Sequence, residues 1–219
     1  MTILQLKPRS TVVRAAGLVD VPAVVRLLAP AATASRPALP VPEGPAVDWE
    51  QAQRAMRLML AHYALEEGEV WVAERADGQL LAAAVWLPPG TGTEPHHTRF
   101  GSLLARELDT CVPEKPKEAV LPAAPALQAA GLDGPYWTVV AACAPDDTEA
   151  WDRSVVAELL APGLRAVDGE GVGAVAATIS PRHMDQLRPL GFRHPRAARL
   201  APGVGVWLAP RDPISHLAA

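Results

Sequence analysis

The sequence of 219 residues has no asparagine, only three lysines (Lys7, Lys115 and Lys117) and only two tyrosines, Tyr63 and Tyr136. Catalytic roles that need a carboxamide of the Asn type are therefore excluded, and just two phenols are available as proton donors. Two cysteines, Cys111 and Cys143, stand far apart. That number excludes a four-cysteine metal site, and a reduced thiol state is expected in a cytosolic chain. A strong basic excess is also lacking: the net charge is -4 and the pI about 5.9, which gives no electrostatic footprint for nucleic acid. No apolar run approaches the ~20 residues of a membrane helix. The opening residues MTILQLKPRS carry no apolar core of signal-peptide length. These absences lead to the expectation of a cytoplasmic protein with no metal, no nucleic acid and no membrane partner.

What is present is apolar residue, 49% of the chain, enough for one domain with a substantial core. Thr11–Ala15 reads as a strand. Asp20 reads as the N-cap of a helix with Val21, Val24, Val25 and Leu28 on one face. The Pro- and Ala-rich stretch 30–47 reads as a loop. Asp48 and Gln51 resemble a capping box ahead of a second helix reaching about Glu66. EVWVAE (69–74) and 80–87 read as strands joined by the turn Asp77-Gly78, and the near-continuous apolar character of the second implies burial on both faces. Residues 88–135 are Pro-punctuated and helical in pattern, with a flap expected at about 91–130. YWTVVAAC (136–143) is the clearest central strand. A helix over 151–167 follows, kinked or broken at Pro162-Gly163. A strand over 173–179, a short helix over 183–190 and a hairpin around Pro202-Gly203 close the chain. The glycines at 169, 171 and 173 precede a strand, so they form a loop and no dinucleotide fingerprint. The order implies a mixed sheet with helices on both faces, an α/β fold in a single domain spanning 1–219.

Three stretches, VRAAGLVDVPAVVRLL, EVWVAERADGQLLAAAVWLPP and YWTVVAACAPDD continuing to PLGF at 189–192, resemble in order and spacing the GNAT (Gcn5-related acyltransferase) fold. The nearest likeness is to the group that includes puromycin N-acetyltransferase. The resemblance implies acetyl-CoA or another acyl-CoA as cofactor, bound by the end of the central strand (Ala141, Ala142 and Cys143) and the start of the next helix (Arg153 and Ser154). It implies acyl transfer to a small-molecule amine, in a chain that acts alone or as a homodimer. In the family a glycine-rich loop cradles the pyrophosphate at that helix start. Here Pro145 to Glu158 contains no glycine and carries Asp146, Asp147, Glu149 and Asp152, and carboxylates there would repel a phosphate. Matching Gly191-Phe192 to the family puts His183 at a position often held by Asn, and Leu187 where a proton-donating Tyr is often found.

The candidate catalytic residues are accordingly His183, Glu69 and Cys143. His183 is either a general acid or base or a solvent-facing helix residue. Cys143 is either a nucleophile at the strand end or a small packed residue. Glu69 is either a base or a rim carboxylate. Trp86 and Tyr136 are expected to line the substrate pocket. Beside acyl transfer, two other readings stand: a GNAT-fold protein that binds a ligand or partner without acylating, and a different reaction in the same cleft.

Overall fold

The computed structural model describes residues 11–34, 49–66, 68–89, 135–144, 150, 152–178, 181–201 and 204–214. The expected flap at 91–130 and the Asp48 cap lie outside the described residues. Among these residues, strands β1 (Thr11–Ala15), β2 (Glu69–Arg75), β3 (Leu80–Leu87), β4 (Tyr136–Cys143), β5 (Gly173–Thr178), β6 (Arg196–Ala201) and β7 (Val204–Arg211) form one sheet. Its order is β1-β2-β3-β4-β5-β7-β6. All neighbours are antiparallel except β4 and β5, which run parallel. A parallel pair needs a crossover, and the helix α3 (Arg153–Glu170) supplies it. The helices α1 (Val21–Ala34), α2 (Trp49–Met59) and α4 (Pro181–Leu187) complete the set. The mixed α/β sheet expected from the sequence is therefore what forms.

The two sides of the sheet bury different helices. Val70, Val72, Ala83 and Val85 meet α1 through Val21, Val24 and Val25. Leu81, Trp86, Val139, Ala174 and Ala176 meet α3 and α4 through Val156, Leu159, Leu160, Val167 and Leu187. β3 is covered on both faces, as its unbroken apolar run implies.

Two helices run further than the sequence suggests. α1 continues past Pro30 to Ala34, where the alanine-rich continuation favours helix strongly enough to offset one lost N–H bond. α3 runs unbroken through Pro162 to Glu170. Its residues on either side of the proline, Leu159, Leu160 and Val167, are all buried against the sheet, so tertiary packing holds both halves in line. The second helix ends in a π-helical turn, Leu60–Ala64, with the Leu65 N–H reaching the Leu60 carbonyl at 3.2 Å.

Asp20 does not cap α1. Its carboxylate reaches back to the Gly17 N–H at 2.8 Å and to the Arg14 guanidinium at 2.8 and 2.9 Å. The hydrogen bonds from Arg14 hold its pKa below the usual carboxylate value. Arg14 also pairs with Glu74, which joins β1, β2 and the entry to α1.

Gly163 explains how α3 lies so close to β3. A Cβ built at this position would sit 2.2 Å from the Trp86 ring. The indole of Trp86 is 0% exposed and its N–H has no hydrogen-bond partner among the described residues. Only glycine admits that approach. At the other end of α3, Arg211 of β7 is buried and makes two parallel bonds of 2.8 Å to Asp168, while its Nε donates to the Leu190 carbonyl at 2.9 Å. The Trp137 N–H donates to Glu170 at 2.8 Å. These contacts fix both the depth and the lower end of the helix.

Gly163→Ala is expected to destabilise the protein by about 1–3 kcal/mol through overpacking, and adding Trp86→Phe is expected to recover part of that loss. Urea unfolding of the single and double variants measures both. A Gly163→Ala protein as stable as the parent would contradict the contact.

Candidate functional site

The parallel β4–β5 ladder pairs Tyr136 with Gly173 and ends at Val140 with Ala177. β4 continues for three residues, Ala141, Ala142 and Cys143, which among the described residues pair with β3 alone. The Ala144 N–H bonds to the Leu81 carbonyl at 2.7 Å. Main-chain polar groups alternate sides along a strand, so those of Ala142 face β3 as well, whereas those of Ala141 and Cys143 face the β5 side. The sheet therefore opens at the carboxyl end of its parallel pair. Ala141 and Cys143 present strand-edge groups there, and Ala142, expected to join them, has its polar groups turned towards β3.

α3 begins beside this opening. Asp152 is its N-cap, and its carboxylate accepts the Ser154 N–H at 2.8 Å and the Ser154 hydroxyl at 2.5 Å. A capping carboxylate stabilises the helix start and complements its dipole. It also occupies the Ser154 donors that the sequence assigns to an anion. Arg153, the other residue expected to hold the cofactor, is exposed in the first turn.

His183 and Thr178 lie on the other flank. Thr178 ends β5 and is one register step past the last β4–β5 pair. Its hydroxyl is 2.7 Å from His183 Nδ1. His183 is 6% exposed, and burial pushes its pKa down to about 4. The ring is neutral at pH 7. The solvent-facing role left open by the sequence is thereby excluded, because α4 turns this residue inward with Met184 and Leu187.

Cys143 is buried among the residues under α3, and desolvation pushes its thiol up to about 12. A nucleophile needs a thiolate, so packing is the role this environment supports. Its contribution to the opening is the main chain.

Three other candidates are not brought to this place. Trp86, expected in a substrate pocket, is fully buried under Gly163 with no surface left for a ligand. Tyr136 begins β4, seven residues or roughly 23 Å from Cys143 along the strand, and packs with Val175, Ala198, Val206 and Leu208. Glu69 stands on β2, three strand spacings or roughly 14 Å from β5, where it accepts the Trp71 indole N–H at 3.1 Å. It is not assembled with His183. Thr178 was not singled out in the sequence, because its value comes from being the last residue of β5 and not from any local motif. Among the described residues no group of three His, Cys, Asp or Glu side chains is placed to hold a metal ion, and no helix is long and apolar enough to cross a membrane.

The architecture matches solved structures over nearly its whole length. An acetyltransferase related to histone acetyltransferases, from Corynebacterium glutamicum, superposes with a TM-score of 0.53 at 16% identity, covering 95% of this chain and 99% of that one. A GNAT phosphinothricin acetyltransferase from Sinorhizobium meliloti, solved with acetyl-CoA, gives 0.50 at 12% identity, covering 96% and 92%. The C-terminal condensation domain of Ebony, in complex with beta-alanyl-dopamine, gives 0.53 at 9% identity, covering 92% and 98%. No protein-family model matches the chain. At such identities the likeness establishes the fold, and the fold is that of the GNAT proteins.

An acyl-CoA at this opening would meet two different surfaces. The strand edge at Ala141 and Cys143 suits the amides of a pantetheine arm, which hydrogen-bond as another strand would. The start of α3 does not suit a diphosphate, because the Asp152 carboxylate already holds the Ser154 donors.

A histidine whose pKa falls from 6.5 in the unfolded chain to about 4 in the fold takes up protons more readily when unfolded. Its neutral form contributes fully above pH 6.5, and stability is lost as pH falls from there through 4. The stability difference between pH 7 and pH 4.5 is therefore expected to shrink in His183→Gln. The C2 proton of His183 is expected to titrate near 4 by NMR. Titration near 6.5 would contradict the buried placement.

Proposed function

We propose that this GNAT-fold chain is an acyltransferase that moves an acyl group from an acyl-CoA thioester to a small-molecule amine. The observation that carries this reading is the opening past Val140 and Ala177, with strand-edge groups of Ala141 and Cys143 on one side and the Thr178–His183 pair on the other. A bound acyl-CoA supplies the reactive carbonyl, and the residues of the chain supply position. The β4 edge orients the arm. His183, held by Thr178, receives a proton from the amine; burial keeps it in the base form across neutral pH at the expense of base strength. Holding the amine in line with the carbonyl is then the larger contribution. Glu69 is too far from β5 to share this role. The reading carries with it a cytoplasmic location, a small-molecule substrate and a chain that acts alone or as a homodimer, with no nucleic acid or membrane partner.

A second reading is favoured by the helix cap. With Asp152 occupying the start of α3 and no glycine between Pro145 and Glu158, the chain would bind a ligand or partner without acylating.

Titration calorimetry with acetyl-CoA and CoA separates the two. Acyl transfer predicts binding at about micromolar Kd that weakens in Arg153→Ala. No heat at millimolar cofactor would overturn it and favour the second reading. In an amine panel followed by release of free thiol, His183→Ala is expected to lower kcat by about 10²-fold or more, while Cys143→Ala retains activity.

A further inference from the structure

Between α4 and the entry to β6 the chain forms a cavity of about 430 Å³. Its floor is apolar, built from Met184 of α4, Phe192 and Ala209 of β7, all buried. Its rim carries the guanidinium groups of Arg188 and Arg193 and the imidazole of His194, all exposed. Among the described residues, none of those lining it belongs to β4, β5 or α3, so the cavity is distinct from the opening between the parallel strands.

The charge is local. Five arginines fall between 182 and 199 against one acid, Asp185, in a chain whose net charge is -4. Asp185 lies 3.7 Å from Arg188, and both side chains are more than 70% exposed; such a pair is weak and leaves most of the guanidinium fork available. The segment that carries Arg193 and His194 is also held in place. The Arg193 N–H bonds to the Pro210 carbonyl at 2.9 Å. His194 adopts a φ of 51°, the one positive value among the described residues other than glycine. A side chain kept in that region costs energy and persists only where the surroundings impose it.

Apolar walls with a few convergent charged groups are the usual make-up of a small-molecule site. Two guanidinium groups at one rim match the planar, bidentate geometry of a carboxylate. We infer that this cavity binds a small organic carboxylate with an apolar body, the carboxylate at Arg188 and Arg193 and the body on Met184 and Phe192. The inference does not depend on the acyl donor. Because Met184 follows His183 on α4, the occupant rests on the helix that places that histidine.

Calorimetry of the full chain with sodium 3-phenylpropanoate tests it. The expected result is a submillimolar Kd that weakens at least about tenfold in Arg188→Ala and in Arg193→Ala, two exposed positions that leave the core intact. The neutral isostere 3-phenylpropanamide is expected to bind at least about tenfold more weakly, and saturating CoA to leave the affinity unchanged. Equal binding of acid and amide, unchanged affinity in both variants, or no heat up to about 10 mM would overturn the site. Displacement by CoA would assign the arginines to the donor site instead. Tighter binding of phenyl phosphate than of the acid would overturn the carboxylate assignment.

Discussion

The close approach of α3 to β3 is the constraint on which the rest of the structure depends. Trp86 fills the space between helix and sheet, and Gly163 removes the one Cβ that would keep them apart. Once that contact is made, α3 is fixed in depth, and the buried Arg211–Asp168 pair fixes its lower end against β7. The upper end is then placed beside the carboxyl ends of β4 and β5. The indole N–H of Trp86 has no partner among the described residues, a burial penalty of about 1–3 kcal/mol that the surrounding apolar packing offsets. A helix pinned at two points along its length also tolerates Pro162, whose missing N–H bond is local.

The same dryness sets the chemistry at the opening. Desolvation keeps His183 neutral and Cys143 protonated, so two of the three side chains that sequence reasoning offered as reactive are held uncharged. What remains is geometry: a strand edge that outruns its parallel neighbour, a hydroxyl–imidazole pair at the end of β5, and a helix start already satisfied by its own carboxylate. Positioning at a strand edge suits a reaction in which an amine attacks an activated carbonyl, where the base has a single proton to accept. The carboxylate cap works against a diphosphate at the place where helix dipoles most often receive one. These two facts pull in opposite directions, and they come from one short stretch of chain, Ala141 to Ser154.

Much of the sheet was legible from local pattern. The apolar run at 80–87 implied burial on both faces, and the strand over 136–143 ends where the sequence places it. The helix after it, the strand from Gly173 and the Asp77-Gly78 turn follow from propensity and turn chemistry that act over a few residues. Errors arose where tertiary packing outweighed those local rules. Pro30 reads as a helix end and Pro162 as a kink or break, yet alanine-rich continuation in one case and two buried flanks in the other carry the helix through. Asp20 reads as a cap, yet Arg14, six residues earlier, provides a stronger partner.

For the site, the sequence by itself determined which chemical groups exist: no Asn, two phenols, a glycine-free segment before α3, one histidine ahead of the LGF turn. Residue identity and short-range spacing are enough for that. Only the tertiary structure decided which of them meet. Register placed Tyr136 at the wrong end of β4 and Glu69 three strands away. Packing against Gly163 removed Trp86 from any surface, and the end of β5 brought Thr178 to His183. Distances between strands and the loss of water around a side chain are properties of the assembled sheet, and no window along the chain encodes them.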